Sequence, residues 1–139
     1  MIIRLGSLRL ISIDSYVQLY NSLKEKYFED IVSQWHSEST NAEKFIHEDV
    51  GIATYLLLLW KSGKYPTPKS FVDLGCGNGL LVYLLTQEGI PGGVGLDIRK
   101  RKIWDFFRRK GTDLRYVNYF NNAIFLPEII FQKFSKRET

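Results

Sequence analysis

The sequence predicts an α/β fold built on a parallel sheet, and three observations carry the prediction. A short apolar run that ends in an acid, FVDL, leads into glycines at every second position, Gly75, Gly77 and Gly79. A helical stretch that is almost wholly apolar, LLVYLLTQE, follows directly. A second apolar run ending in an acid, VGLDI, then leads into RKRKIWDFFRRK. Strand, turn, helix, strand, helix is the order of a parallel βαβ unit, because a parallel neighbour can be reached only by a crossover.

The elements can be justified in order. LRLISI, residues 8–13, reads as a short strand. From Ser15 to Gln34, Val17, Leu19, Tyr20, Leu23, Tyr27, Phe28, Ile31 and Val32 recur near helical spacing and predict an amphipathic helix. SESTN, Ser37 to Asn41, is a polar break able to cap a second helix. That helix is expected from Ala42 or Phe45 to Lys61, buried all round over Tyr55–Trp60. Gly63, Pro66 and Pro68 end it in a stiff loop. SFVDL (Ser70–Leu74) and VGLDI (Val94–Ile98) are the two buried strands, and the helix after the second is expected to begin in RKRK. Beyond Gly111 no strand–helix alternation is visible, although Tyr116, Tyr119, Phe120, Phe125, Phe131 and Phe134 are apolar enough to pack. The parts are therefore a helical lead-in over 1–69, a β-α-β-α unit over 70–110 and a divergent tail over 111–139 that is not expected to add parallel strands.

Composition narrows the classes. With 139 residues, 45% hydrophobic and 24% charged, the chain has the makings of one globular core. One cysteine, Cys76, excludes an internal disulfide framework and fits a reducing compartment. The longest apolar run, ATYLLLLW, has eight residues, against the roughly 20 of a spanning helix. MIIRLGSLRLISI is broken by Arg4, Gly6 and Arg9, unlike a secretory signal, so a soluble cytoplasmic protein with no membrane partner is expected. Residues 1–98 carry 8 Lys/Arg against 11 Asp/Glu and residues 99–139 carry 11 against 4, so the net +4 is concentrated at one end and hints at a polyanionic partner.

Glycines in the first βα turn of such a sheet allow positive φ and let a ligand approach the backbone. The dinucleotide fingerprint is G-x-G-x-x-G, whereas here the spacing is G-x-G-x-G, with Leu80 where the third glycine of that fingerprint would fall. A carboxylate at Asp73 would repel a pyrophosphate and favour a cation such as the sulfonium of S-adenosylmethionine. Asp97 ends the second strand, where a carboxylate commonly accepts hydrogen bonds from ribose hydroxyls. The plainer readings, a helix N-terminus partner for Asp73 and a solvated loop acid for Asp97, remain open. His36 and His47 stand apart, and no spacing suggests a metal. Cys76 reads as a small residue in a tight turn, and Trp35, Trp60 and Trp104 as packing residues. RKRK (Arg99, Lys100, Arg101, Lys102) and RRK (Arg108–Lys110) suit either nucleic-acid phosphates or the solvated face of a helix.

KFIHEDVGIATYLLLLW, FVDLGCGNGLLVYLLTQEG and GVGLDIRKRKIWD resemble the tRNA (uracil-2′-O-)-methyltransferase family, over roughly Tyr16 to Asp105. The glycine motif alone would indicate only a class I methyltransferase; the flanking IHEDVGIATYLLLLW and RKRKIWD blocks make the resemblance specific. It implies a Rossmann-like class I methyltransferase fold, S-adenosyl-L-methionine as cofactor, and methyl transfer to a ribose 2′-hydroxyl of serine tRNA. It places Asp73, Gly75, Cys76, Gly77, Asn78 and Gly79 at the methionine end of the cofactor, Asp97 at its ribose, and Arg99, Lys100, Arg101 and Lys102 as candidate RNA-facing residues. Glu48 and Asp49 lie in a family-like block with a helix-capping role as the plain alternative. After Asp105–Phe107 the resemblance fades. The expectation is the cofactor-binding front half of an enzyme, truncated after the second strand–helix unit, with an unrelated tail and no residue assignable as catalytic base. The alternative is a non-catalytic chain acting as a cofactor- or RNA-binding module. A class I methyltransferase acting on protein or a small molecule is a third reading, which RKRKIWD argues against.

Overall fold

The computed structural model describes residues 10–35, 38, 40–117 and 130–132. They fall into two compact units, divided between Thr67 and Pro68.

The first unit is a helical hairpin. Helix α1 spans Ile13–Gln34 and α2 spans Ala42–Lys61. The Ser12 hydroxyl accepts the Ser15 N–H and the Asn41 side chain accepts the Lys44 N–H, each satisfying one orphan donor of a first turn. Ser12 thus starts a helix where the sequence suggests a strand over 8–13; Leu8 and Arg9 lie outside the described residues. Tyr16 donates to the Gly51 carbonyl and Tyr20 bonds His47 at 2.9 Å, so partners rise along α1 as they fall along α2, and the helices are antiparallel. Leu23, Tyr27 and Ile31 on α1, and Ile46, Val50, Ala53 and Leu57 on α2, form buried stripes at helical spacing. The Trp35 indole donates to Thr40, closing the link between the helices. Over Tyr55–Trp60 only Leu57 and Trp60 are buried; Tyr55, Leu56, Leu58 and Leu59 are half-buried, so α2 has a buried stripe and not the all-round burial expected.

The second unit is a four-stranded, all-parallel sheet in the order β3-β2-β1-β4. Strand β1 (Phe71–Leu74) leads through α3 (Leu80–Gln87) to β2 (Gly93–Asp97), and β2 through α4 (Trp104–Arg109) to β3 (Asp113–Tyr116). Strand β4 (Ile130–Gln132) lies on the other side of β1, with Asp73 paired to Phe131. The chain therefore steps outward from β1 in one direction and then appears on its opposite flank, which makes the carboxyl end of β1 the switch point of the sheet. The core is made by α3, buried from Leu80 to Leu85, with Phe71, Leu96, Trp104, Phe107 and Leu114; the Tyr83 and Phe107 rings stack at 4.6 Å.

Two expectations need correction. Residues 111–139 do add parallel strands: β3 pairs along its length with β2, Asp97 opposite Tyr116, and β4 pairs with β1. In β3 only Leu114 is buried, so four residues with one apolar anchor leave no period to read. Helix α4 begins at Trp104 and not in RKRK; Arg99 to Lys102 form the loop before it. That loop starts with the Arg99 N–H held by the Asp97 carboxylate, a local bond that competes with helix.

Candidate functional site: the turn after β1

Leaving β1, the backbone folds back onto the neighbouring strand. The N–H groups of Gly75 and Cys76 both donate to the Leu96 carbonyl, at 2.7 and 3.0 Å. The Gly77 N–H donates to Asp97 Oδ2 at 2.8 Å, the Gly79 N–H to the Cys76 carbonyl at 3.0 Å, and the Leu80 N–H to Asn78 Oδ1 at 2.9 Å. Gly75, Gly77 and Gly79 all have positive φ, at 71°, 58° and 82°. These are conformations that L-residues adopt only at a cost, which is the reason for the alternating glycines. A Cβ on Gly75 or Gly77 would point into open space, so one face of the turn is bare backbone accessible to a ligand.

Gly79 is glycine for a second reason. A Cβ there would lie 2.6 Å from Leu114 Cδ1, and one on Gly95 would lie 2.6 Å from Leu114 Cδ2 and 2.9 Å from Cys76 Sγ. The side chain of Leu114, from β3, fills the hollow made by a glycine at the start of α3 and a glycine in mid-β2. Cys76 is buried against the same hollow, as its reading as a small packing residue anticipates. It contributes backbone to the turn's surface, not its thiol.

Asp97 sits half-exposed at the tip of β2. Its Oδ1 accepts from Arg99 N–H at 2.9 Å and its Oδ2 from Gly77 N–H. A carboxylate has about four acceptor positions, so capacity remains for two hydroxyls on the solvent side. Asp73 is different. It stands third in β1, paired with Gly95 and Phe131, and is 1% exposed. Its side chain is thus buried within the sheet, two residues before the open backbone of Gly75.

The turn's N–H groups discriminate between ligand classes. Phosphate-binding glycine loops present unpaired N–H groups to the anion. Here those of Gly75, Cys76, Gly77, Gly79 and Leu80 are all spent inside the chain. The open surface over Gly75 and Gly77 is therefore bare Cα beside the Asp97 carboxylate, a combination that suits a nucleoside carrying positive charge.

Trp104 is fully buried, as a packing residue should be, and it also donates its indole N–H to the Gly77 carbonyl at 2.8 Å. The Arg108 guanidinium lies 5.1 Å from the Trp104 ring and donates to the Leu114 carbonyl at 3.1 and 2.6 Å. Neither Trp104 nor Leu114 stands out as a site residue in the sequence; the nearest signal for Trp104 is its place in the RKRKIWD block. Arg99, Lys100 and Lys102 are exposed and Arg101 half-buried, with Lys100 Nζ 5.8 Å from the ring centroid of Tyr116. This loop begins at Asp97 and ends at Trp104, so the basic residues stand beside the turn. Glu48 and Asp49 lie within α2, past its first turn, and Asp49 is buried, so neither caps that helix.

Comparison with known proteins identifies the family. Residues 10–118 match the model of a family described as predicted AdoMet-dependent methyltransferase, a match that takes in β3 as well as the glycine turn. The chain is 55% identical over 106 residues to a mouse (Mus musculus) protein and 52% identical over 106 residues to one from Xenopus laevis, each named probable tRNA (uracil-O(2)-)-methyltransferase. Each match covers 73% of this chain. It is 38% identical over 127 residues, 89% of the chain, to the tRNA (uracil-O(2)-)-methyltransferase of Candida glabrata, so the tail is not unrelated to the family. The chain spans 14%, 15% and 21% of the length of the mouse, frog and yeast proteins respectively. No solved structure matches it. With the turn, the strand order and a family match over most of its length, the chain belongs to the AdoMet-dependent methyltransferase family.

Proposed function

We propose that this chain binds S-adenosylmethionine on the turn after β1 and forms the cofactor-binding part of a tRNA 2′-O-methyltransferase. The observation that carries the proposal is the turn itself: open over Gly75 and Gly77, with the N–H groups of Gly75, Cys76, Gly77, Gly79 and Leu80 bonded within the chain, and flanked by the Asp97 carboxylate. The backbone of Gly75, Cys76, Gly77, Asn78 and Gly79 lines the methionine end, Asp97 accepts from the ribose hydroxyls, and Asp73, two residues before Gly75, is a carboxylate that would favour a cationic ligand over a phosphate. When bound, S-adenosylmethionine supplies an electrophilic methyl group on its sulfonium. The acceptor is read from the names of the relatives as a uridine of tRNA, with serine tRNA as the substrate suggested by the resemblance. Arg99, Lys100, Arg101 and Lys102 would meet its phosphates. A cytoplasmic setting belongs to the same proposal; no helix among the described residues is long and apolar enough to cross a membrane.

Calorimetry with S-adenosylmethionine tests the reading, on the chain and on Asp97→Ala. Saturable binding that the substitution weakens tenfold or more, about 1.4 kcal/mol, supports it. A folded chain that takes up no cofactor refutes it. Binding accompanied by methyl uptake into serine tRNA identifies the transferase, and binding without uptake identifies a cofactor- or RNA-binding module.

A further inference from the structure

We propose that Trp104 is a positioning residue for the cofactor turn, acting through Gly77. Two peptide planes meet at the Gly77 Cα, and their relative orientation is what φ and ψ describe. Asp97 Oδ2 holds the plane before it through the Gly77 N–H, and Trp104 Nε1 holds the plane after it through the Gly77 carbonyl, both at 2.8 Å. Gly77 has little restraint of its own: it has no side chain, φ is +58°, and, as at Gly75, nothing approaches within 4 Å of where a Cβ would be. Its conformation therefore has to be imposed from outside, and these two bonds impose it.

The indole is itself held. Ile103 and Trp104 are buried, the Arg108 guanidinium lies over the ring, and Arg108 is fixed by its bonds to the Leu114 carbonyl. The Leu114 side chain in turn abuts Gly79 and Gly95. The contacts close a ring, Gly77–Trp104–Arg108–Leu114–Gly79, around the turn. A tryptophan is needed in this ring because a phenyl of similar bulk has no donor for the Gly77 carbonyl.

The cofactor part of this inference rests on the reading of the turn as an S-adenosylmethionine site, so the test has one arm that needs no cofactor. Trp104→Phe is compared with Phe107→Leu, a buried neighbour on α4 that stacks on Tyr83 and makes no bond to the turn. By hydrogen exchange, the Gly77 amide of Trp104→Phe should exchange several-fold faster than in the parent chain, while that of Phe107→Leu keeps the parent's rate relative to the rest of the sheet. By calorimetry, Trp104→Phe should weaken S-adenosylmethionine binding about threefold to tenfold, and Phe107→Leu should leave it within twofold despite a lower Tm. Unchanged exchange in Trp104→Phe overturns the proposal whatever the ligand does. Faster exchange with unchanged affinity overturns it as a positioning role. Equal losses of affinity in both variants would reduce Trp104 to a packing residue. Faster exchange in a chain whose parent binds no cofactor upholds the clamp on Gly77 and overturns the cofactor reading alone.

Discussion

Replacing Gly79 by alanine tests whether β3 builds the turn or merely lies beside it. Two costs are expected. Gly79 has φ +82°, and an L-residue in the left-handed region costs about 1–2 kcal/mol. The new Cβ would also stand 2.6 and 2.8 Å from the two methyl carbons of Leu114, and overpacking of this kind costs about 1–3 kcal/mol. Together Gly79→Ala should lower stability by about 2–5 kcal/mol. Leu114→Ala alone, at a site 2% exposed, should cost about 2–5 kcal/mol through lost burial and the cavity left behind. In the double variant the conformational cost of Gly79→Ala remains, but the clash does not, because the methyl groups are gone. Urea unfolding of all four proteins gives the interaction term, expected to favour the double variant by about 1–3 kcal/mol. Additivity within about 0.5 kcal/mol would mean that Leu114 does not occupy the hollow above Gly79. The placement of β3 against the turn would then be wrong.

Other outcomes are set by the same geometry. Neutralising Arg99, Lys100 and Lys102 together should weaken tRNA binding and lower its salt dependence by about 0.7–0.9 in log–log slope for each phosphate no longer neutralised, with cofactor affinity unchanged; filter binding across a salt series measures both. Asp97→Asn should weaken S-adenosylmethionine binding by about 1.5–3 kcal/mol for each charged hydrogen bond removed, and a competition assay with the unmethylated cofactor product would detect it. Burial raises the pKa of both Tyr16 and Tyr20 above the ordinary 10.0, with the Tyr20 charge adding to the effect at Tyr16. The folded state therefore resists ionisation more than the unfolded chain does. Its stability should be intact below the ordinary tyrosine pKa and fall as pH climbs past it, an effect that Tyr16→Phe/Tyr20→Phe should flatten in denaturation curves taken across the alkaline range.

How much of this is legible in the sequence depends on how many residues carry each signal. Helices α1 and α2 announce themselves because each buries a stripe at helical spacing, Leu23 to Ile31 on α1 and Ile46 to Trp60 on α2, and the start of α2 lies where Asn41 can cap. The unit from β1 to β2 is legible because β1 and α3 are buried on nearly every side and the glycines mark the turn between them. Strand β3 is not legible. It sits at the edge of the sheet, exposes Arg115 and Tyr116, and offers one buried side chain in four. The start of α4 is misread because basic residues are good helix formers, yet the Arg99 N–H is already engaged by Asp97, and helix resumes only where Trp104 and Phe107 can be buried together.

The candidate site divides along the same line. Spacing in the sequence can say where glycines and carboxylates fall, and it separates G-x-G-x-G from G-x-G-x-x-G. It cannot say where the N–H groups of the turn point, and that decides between an anion and a cation. The answer lies in the Leu96 carbonyl, which receives two of those N–H groups, and in the Asp97 side chain, which receives a third. Both belong to β2 and come into reach only when β2 pairs with β1 in the register that sets Leu74 opposite Leu96. Slipping the pairing by one residue would turn the Asp97 side chain to the other face of the sheet and leave the Gly77 N–H free. The turn would then resemble a phosphate cradle. The engagement of the Gly77 N–H is thus a property of strand register, and the glycines are only its precondition.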